Sequence, residues 1–246
     1  MMQRKVVITG AAGGIGTALV DEFRAHGWRV IGVDVSPPST GAQIDEWVEG
    51  DLSDATTRTA IRHAVEDSVD ALVNNAAVQV NSSFREMTET ELSRSFEVNL
   101  FASVLLTQEL VGALASRQGA IVNVGTVHSV ATSANVFPYS ISKAALSGFT
   151  RSVAIEMAAE QVRCNSVLLG AVDTPMLRAG LSRRDHPDGA DGNRRELVER
   201  TPLQKIATPQ EIAPAVRFFA DSNLSSYVTG QCLLVDGGVS VKLASE

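Results

Sequence analysis

Tyr139 and Lys143 have the residue types and the spacing needed for proton-transfer chemistry. They lie in the segment Tyr-Ser-Ile-Ser-Lys, and on a helix a spacing of four residues places both side chains on one face. A free tyrosine has a pKa near ~10, and a fixed positive charge nearby favours the phenolate and lowers that pKa. The pair therefore predicts a tyrosine that donates and accepts protons. The alternative is a solvated helix face, because the spacing also occurs by chance.

A glycine-rich turn near the N-terminus has the form of a phosphate-binding site. The residues Thr9-Gly10-Ala11-Ala12-Gly13-Gly14-Ile15-Gly16 follow a predicted strand and open a predicted helix. Glycines permit a tight turn and a close approach of the backbone to a pyrophosphate, and the helix N-terminus offers free N–H groups to the anion. This strand–turn–helix context favours a dinucleotide site over an ordinary glycine turn.

Short β-branched runs alternate with longer helical patterns along the chain. We predict strands at 5–9, 29–33, 47–49, 71–73, 120–124, 163–168 and 232–235, and helices at 14–26, 55–67, 92–117 (with a break near Asn99), 139–160 and 209–220. This alternation predicts an α/β fold, a parallel sheet with helices on both faces. No boundary divides the chain, so residues 1–246 are expected to form a single domain. The irregular, charged stretch at about 175–202 is either an active-site lid or a mobile solvated loop.

Composition excludes several classes of protein. The 246 residues are 44% hydrophobic and carry a net charge of -7, so no nucleic-acid partner is expected. Cys164 and Cys232 form no Cys-x-x-Cys pair and are expected to be buried free thiols, and the four histidines show no metal-ligand spacing, so no metal site is predicted. The apolar run before Gly10 is too short for a signal peptide. No uninterrupted apolar segment is long enough to span a bilayer, and we expect a cytoplasmic protein without a membrane partner.

Five motifs, in order along nearly the whole chain, resemble those of the short-chain dehydrogenase/reductase family. They are the glycine turn with its Gly-x-x-x-Gly-x-Gly spacing, Asn74-Asn75-Ala76-Ala77 after the fourth strand, Asn99, the Tyr139–Lys143 pair, and Asp236-Gly237-Gly238 after the last strand. Ala77 stands where the family has glycine. Leu169 precedes Gly170 where the family usually has proline. The resemblance implies a Rossmann-type, doubly wound parallel sheet.

The resemblance also implies a catalytic tetrad and a set of cofactor contacts. Tyr139 would exchange a proton with the substrate oxygen, Lys143 would lower the tyrosine pKa and hold the nicotinamide ribose, and Asn99 would break its helix and hold a water on a proton path. The implied cofactor-binding residues are Gly10, Gly13, Gly14, Ile15, Gly16, Asp34, Asp51, Leu52, Asn75, Ala76, Tyr139, Lys143 and Thr174.

Asp34 indicates which nicotinamide cofactor is used. It ends the second predicted strand, roughly 20 residues beyond the glycine turn, where an acidic residue binds the adenosine ribose hydroxyls. Its carboxylate would repel the 2′-phosphate of NADP, and Val35 and Ser36 offer no positive charge to neutralise that phosphate. We therefore predict NAD. The alternative is a strand-ending aspartate that caps a turn.

The serine of the family's tetrad is replaced in this chain. Counting back from Tyr139 by the usual interval reaches Thr126, whose hydroxyl is still both a donor and an acceptor. We favour Thr126 as the substrate-orienting group, with Ser129 as the alternative. His128 is interpreted as a residue outside the reacting centre, with substrate contact as the alternative. Val136, Phe137, Val172, Met176 and Leu177 predict a partly apolar pocket. Arg178, Arg183 and Arg184 either attract an anionic substrate or are simply solvated.

The resemblance implies an oxidoreductase that transfers a hydride between NAD(H) and a small or medium secondary alcohol or ketone. Diols, sugar alcohols and hydroxyacyl compounds are the candidate substrates, and the physiological direction stays open. A catalytically weakened NAD-binding sensor or scaffold is the alternative, supported only by Thr126 and Ala77. The resemblance also implies a homo-oligomer, tetramer or dimer, built on the helices at 100–117 and 144–159. Small residues at Ala144, Ala145, Ser147, Gly148 and Ser152 permit close helix packing, and the same faces could equally lie on the sheet.

Overall fold

The strands of this protein form one parallel sheet. The computed structural model describes residues 3–38 and 41–242. Within that part the strands are β1 (Lys5–Thr9), β2 (Arg29–Asp34), β3 (Glu46–Glu49), β4 (Ala71–Asn74), β5 (Ala120–Thr126), β6 (Arg163–Leu169) and β7 (Cys232–Val235). All neighbouring pairs are parallel, and the spatial order is β3-β2-β1-β4-β5-β6-β7. The predicted doubly wound α/β fold is confirmed.

Helices connect the strands and cover both faces of the sheet. They are α1 (Gly14–Ala25), α2 (Ala55–Val65), α3 (Glu89–Phe96), α4 (Ala102–Ala115), α5 (Phe137–Glu156), α6 (Pro175–Ser182), α7 (Gly189–Arg200), α8 (Pro209–Ala220) and α9 (Ser222–Ser225). Leu19 and Phe23 of α1 pack with Val216 of α8 in one core cluster. Ile61 of α2 and Leu106 of α4 pack in the cluster on the opposite face. The helices α1, α2, α4 and α8 therefore bury apolar side chains against the sheet.

The sheet contains a topological switch point between β1 and β4. From β1 the chain winds outward to β2 and β3, and it then returns to β4 on the other side of β1. Connections leave β1 and β4 toward opposite faces at this point, which opens a crevice outside the carboxyl ends of the strands. The glycine turn follows β1, and Asn75 follows β4, so both predicted binding segments line this crevice.

Most observed element boundaries lie within a few residues of the predicted ones, and those of α8 and β7 are identical to them. The segment 175–202 differs, because most of it forms α6 and α7 rather than an irregular stretch. The Asn193 side chain donates hydrogen bonds to the carbonyl oxygens of Leu181 and Arg184, at 2.9 and 2.8 Å. This buried amide joins the two helices, a long-range contact that charge-rich local sequence does not reveal.

The helix that runs from Glu89 to Ala115 is long and apolar enough to meet the simple criteria for a membrane span, unlike the sequence-based expectation. Its side chains Leu106, Leu110 and Leu114 are fully buried against the sheet, as in the core helix of a soluble protein.

The two cysteines differ in environment. Both thiols are free, and Cys164 is buried as predicted, whereas Cys232 is only half-buried. The prediction of burial is wrong for Cys232 because β7 is an edge strand, paired only with β6.

Candidate active site

The turn between β1 and α1 requires its glycines. Gly10 has a φ of +66°, and a Cβ there would lie 2.9 Å from the Cα of Ala76. A Cβ on Gly16 would lie 1.9 Å from the carbonyl oxygen of Gly10. These approaches exclude any larger residue at either position, so the turn is as tight as the family spacing implies.

The start of α1 leaves backbone N–H groups available to an anion. Gly13 is the N-cap residue, and none of the side chains that the structure describes caps the helix. The amides of Gly14, Ile15 and Gly16 belong to the first turn and therefore have no intrahelical acceptor. Together with the helix dipole they fit a pyrophosphate. Ile15 is half-buried and anchors this turn to the core.

Asp34 lies at the end of β2 with its carboxylate toward the glycine turn. The backbone N–H of Ala12 donates to its Oδ2 at 3.0 Å, and the N–H of Ser36 donates to its Oδ1 at 3.1 Å. These bonds hold a negative charge at the edge of the phosphate cradle. A carboxylate at this position can accept hydrogen bonds from ribose hydroxyls.

Asp51 and Leu52 follow β3 at the same edge of the sheet. Leu52 is buried, whereas the Asp51 carboxylate accepts hydrogen bonds from Arg94 Nη2 at 2.8 Å and from the hydroxyl of Ser53 at 2.7 Å. The arginine was not singled out from the sequence. It comes from α3, which is distant along the chain, and it orients the carboxylate that the family resemblance assigns to the adenine.

Asn75 and Ala76 form the opposite wall of the crevice. The Asn75 side chain donates to the carbonyl oxygens of Thr9 and Gly10, at 2.9 and 3.1 Å. Asn75 therefore fixes the turn to the end of β4. Ala77, which replaces a family glycine, has no positive φ, so an alanine is accommodated there without strain.

Thr174 lies directly beside the glycine turn. A Cβ on Gly14 would lie 3.1 Å from its Cγ2 atom, and the Thr174 hydroxyl caps α6 by accepting from the N–H of Leu177 at 3.2 Å. The segment from β6 thus returns to the start of α1, which brings together two predicted cofactor-binding regions. Gly170 makes this possible, since a Cβ there would lie 2.7 Å from the Cα of Asp236.

Asn99 lies in one turn of π-helix, Glu97–Phe101, between α3 and α4. The helix is therefore widened at the predicted break rather than interrupted. Asn99 is fully buried, accepts from the N–H of Val78 at 2.8 Å, and donates to the Val78 carbonyl at 3.0 Å and to Ser142 Oγ at 3.0 Å. Its side-chain amide thus bonds protein groups through both its oxygen and its nitrogen.

Thr126 is the last residue of β5, not a loop residue, and it is buried. Its hydroxyl donates to the carbonyl oxygen of Leu169 at 3.4 Å and accepts from the N–H of His128 at 3.3 Å. The hydroxyl also lowers the pKa of the Tyr139 phenol. By contrast, Ser129 Oγ is buried without a hydrogen-bond partner among the described residues.

The pKa of Tyr139 moves in the direction opposite to the prediction. Burial raises it to about 12, against a smaller lowering by Thr126. Burial also lowers the pKa of Lys143, to about 8. Desolvation is therefore the largest cause of both shifts in the protein alone, and it favours the neutral form of each group.

Lys143 is fixed by the end of β5. Its Nζ atom donates to the carbonyl oxygen of Val124 at 2.9 Å, and the residue is 2% exposed. An ammonium group has three N–H donors, so two remain for a bound molecule. This hydrogen bond orients the side chain and leaves its other two N–H donors for a ligand.

The residues predicted to form an apolar pocket differ in how deeply they are buried. Val136 and Val172 are buried, whereas Met176 is 39% exposed. Arg178 donates to Asp173 Oδ1 at 2.8 Å, and Arg183 and Arg184 are exposed.

A buried serine network joins the π-turn to α5. Ser142 Oγ lies 3.2 Å from Ser95 Oγ, and Ser95 Oγ donates to the carbonyl oxygen of Pro138 at 3.0 Å. Sequence reasoning missed both serines, because nothing in their local pattern indicates that they meet.

The comparisons with known proteins agree with this geometry. The family profile described as Enoyl-(Acyl carrier protein) reductase matches residues 10–240. The chain is 33% identical to the 3-oxoacyl-[acyl-carrier-protein] reductase FabG of Vibrio cholerae over 95% of this chain and 96% of that protein. It is 36% identical to the short-chain type dehydrogenase/reductase y4vI of Sinorhizobium fredii, over 96% of this chain but only 43% of that longer relative.

A solved structure is also similar. The aldohexose dehydrogenase AldT of Thermoplasma acidophilum, in ligand-free form, superposes with a TM-score of 0.92 at 31% identity, covering 98% of this chain and 96% of that one. A shared fold, a family profile along nearly the whole chain and the matched motifs lead to one conclusion. The chain is an oxidoreductase of the short-chain dehydrogenase/reductase family.

Proposed function

We propose that the protein is an NAD-dependent dehydrogenase of a small or medium secondary alcohol, or the corresponding ketone reductase. The observation that carries the proposal is the placement of Tyr139 and Lys143 beside Thr126 at the carboxyl end of β5. There Lys143 Nζ donates to the Val124 carbonyl oxygen at 2.9 Å, and His128 contacts both the Thr126 hydroxyl and the Tyr139 ring. The glycine turn after β1 and Thr174 after β6 lie at the same edge of the sheet. A proton-transfer pair thus faces the crevice that fits a dinucleotide.

Tyr139, Thr126 and Lys143 have distinct tasks in this mechanism. In the oxidative direction, the Tyr139 oxygen accepts the proton of the substrate hydroxyl, and the Thr126 hydroxyl orients the same substrate oxygen. Bound NAD supplies the hydride acceptor. Lys143 offers its two remaining N–H donors to the ribose, and when protonated it stabilises the phenolate. Asn99 keeps the catalytic helix in place through Ser142.

The preference for NAD rests on Asp34. Its carboxylate is held beside the phosphate cradle by the amides of Ala12 and Ser36, and a 2′-phosphate at this position would meet a like charge. We include in the same proposal that the tetrad acts without a metal ion and that the substrate is a small molecule. The diol, sugar-alcohol and hydroxyacyl classes are the candidate substrates.

The test is a titration with NAD followed by an alcohol panel monitored by NADH absorbance. Reduction of NAD by secondary alcohols, with a higher kcat/KM for NAD than for NADP, is the expected result. Binding of NAD without turnover over the whole panel would contradict the proposal and favour a sensor. The tetrad positions Asn99, Tyr139 and Lys143 are all occupied by the family's residues, which favours turnover.

We also infer that α6 and α7 act as a lid over the substrate. Asp173 accepts from Arg178 of α6 at 2.8 Å and from Arg194 of α7 at 3.1 Å. Asp173 directly precedes Thr174, so these two bonds hold both helices beside the predicted nicotinamide contact. Opening of these helices would expose the site next to the predicted nicotinamide contact.

A cytoplasmic homo-oligomer, tetramer or dimer, completes the proposal. Phe101 and Leu105 are 51% and 38% exposed near the start of α4, and a Cβ on Gly148 of α5 would meet no atom within 4 Å. Ser147 is excluded from this surface, since it is buried. We expect Leu105→Glu to lower the sedimentation coefficient to that of a smaller species, whereas an unchanged coefficient would contradict this interface.

A further inference from the structure

His128 lies against the catalytic tyrosine. Its ring meets that of Tyr139 edge to face, with the ring centroids 6.2 Å apart. Its backbone N–H donates to Thr126 Oγ1 at 3.3 Å. One residue therefore contacts both groups that handle the substrate oxygen in the proposed reaction, although the sequence favoured a place for it outside the reacting centre.

The hydrogen bond of its Nδ1 atom determines what the ring presents. Nδ1 lies 3.2 Å from Thr132 Oγ1, and the same hydroxyl has a second acceptor in range, the carbonyl oxygen of Ser133 at 3.5 Å. If the hydroxyl hydrogen lies on the Ser133 side, Thr132 accepts from Nδ1, and Nδ1 carries the proton. The other ring nitrogen, Nε2, is then a lone-pair acceptor, and no described side chain or backbone group donates to it.

Burial keeps the ring in this form. Desolvation lowers the pKa of His128, so the neutral imidazole prevails at neutral pH. A neutral acceptor beside the reacting centre favours a substrate group that has a hydrogen to donate. It gives no advantage to a carboxylate or an ether oxygen.

We propose that His128 is a specificity-determining residue that accepts a hydrogen bond from a second hydroxyl on the substrate, next to the carbon that is oxidised. This inference rests on the proposed function and narrows it to diols and polyols. Among the candidate classes, hydroxyacyl compounds lack the donor that Nε2 requires, because their second oxygen is a carbonyl.

The test compares alcohols that differ in one group. With NAD, kcat/KM is measured for 1,2-propanediol and for 2-butanol, which replaces the second hydroxyl with a methyl group. The wild type is expected to prefer the diol, and His128→Phe is expected to reduce the diol-to-butanol ratio about tenfold, the effect of one hydrogen bond. His128→Gln retains an acceptor oxygen and should restore part of the ratio. His63→Gln, an exposed histidine on α2, is the matched control and should behave as the wild type.

A second pair of alcohols tests whether Nε2 accepts or donates the hydrogen bond. The ether 1-methoxy-2-propanol accepts but cannot donate from its second oxygen, so it should gain nothing over 2-pentanol. A gain for the ether that His128→Phe abolishes would overturn the acceptor assignment, and a diol-to-butanol ratio unchanged in His128→Phe would overturn the role of His128.

Two results separate this inference from the proposed function. Absence of NAD reduction by the wild type with every alcohol would contradict the oxidation itself. The ring can still be tested without turnover, by ¹⁵N NMR of the labelled protein with His128→Gln to assign the resonances. Protonated Nδ1 and unprotonated Nε2 are expected, and the opposite tautomer would overturn the inference.

Discussion

The ammonium group of Lys143 donates a hydrogen bond to the carbonyl oxygen of Val124 at 2.9 Å. This bond joins α5 to β5 two residues before Thr126, and so holds the lysine, the strand end and the threonine together. The same burial that fixes the lysine makes its charge costly, because few polar groups replace the water it has lost.

The charge of Lys143 should therefore make stability depend on pH. Its pKa falls from 10.5 to about 8 on folding, so between these values the unfolded chain binds more protons, and stability increases as the pH rises through this window. The gain relative to Lys143→Met should approach ~3 kcal/mol. Denaturant unfolding of both proteins from pH 7 to 10.5 measures it. A constant difference across that range would contradict the lowered pKa.

Removing the Thr126 hydroxyl should slow the reaction and shift its pH profile. The hydroxyl lowers the pKa of Tyr139, so Thr126→Val should move the rise of kcat/KM for alcohol oxidation to higher pH. At neutral pH most of the rate should be lost, whereas Thr126→Ser should stay active with the wild-type profile. Full activity of Thr126→Val would transfer the role to Ser129 or another group.

Tyr139→Phe should reduce kcat by roughly 10²- to 10⁴-fold, the usual contribution of a general acid–base group. Because the ring is retained, binding of NAD should change little. Steady-state kinetics together with an NAD titration separate the two effects. Loss of NAD binding in parallel with the rate would indicate a structural role for the tyrosine instead.

Asp34→Asn should weaken the discrimination against NADP. Asparagine keeps an oxygen that accepts from the N–H of Ala12 but removes the negative charge, and the ratio of kcat/KM for NAD to that for NADP should fall about tenfold or more. The matched control is Asp67→Asn, an exposed carboxylate after α2. An unaltered ratio in Asp34→Asn would show that another feature selects the cofactor.

Two glycine substitutions should have opposite effects. In Gly16→Ala the new Cβ would lie 1.9 Å from the Gly10 carbonyl, so the turn must shift. We expect loss of NAD binding and a destabilisation of ~1–3 kcal/mol. In Gly112→Ala the new Cβ meets no atom within 4 Å, and replacement of a helical glycine should stabilise by ~0.5–1 kcal/mol. Thermal unfolding and an NAD titration test both variants. Equal effects would contradict the close packing of the turn.

Local sequence was sufficient for the strand–helix alternation, the glycine turn and the Tyr139–Lys143 pair. Each depends on residues that are close in the chain, where periodicity and the conformational freedom of glycine act directly. The position of Asp34 was predictable for the same reason, since it ends a strand that follows the turn by a fixed interval. The helices α6 and α7 were not, because their charge-rich sequence packs through Asn193, a single buried amide.

The reacting centre itself depends on contacts between distant segments. Desolvation raises the pKa of Tyr139 only because α5 packs on β5, and Asn99 reaches Ser142 only because the π-turn lies beside α5. The direction in which His128 points depends on Thr132 and Tyr139 together. Spacing along the chain contains no information about how much water each side chain loses on folding, and that loss decides which protonation states the folded protein can use.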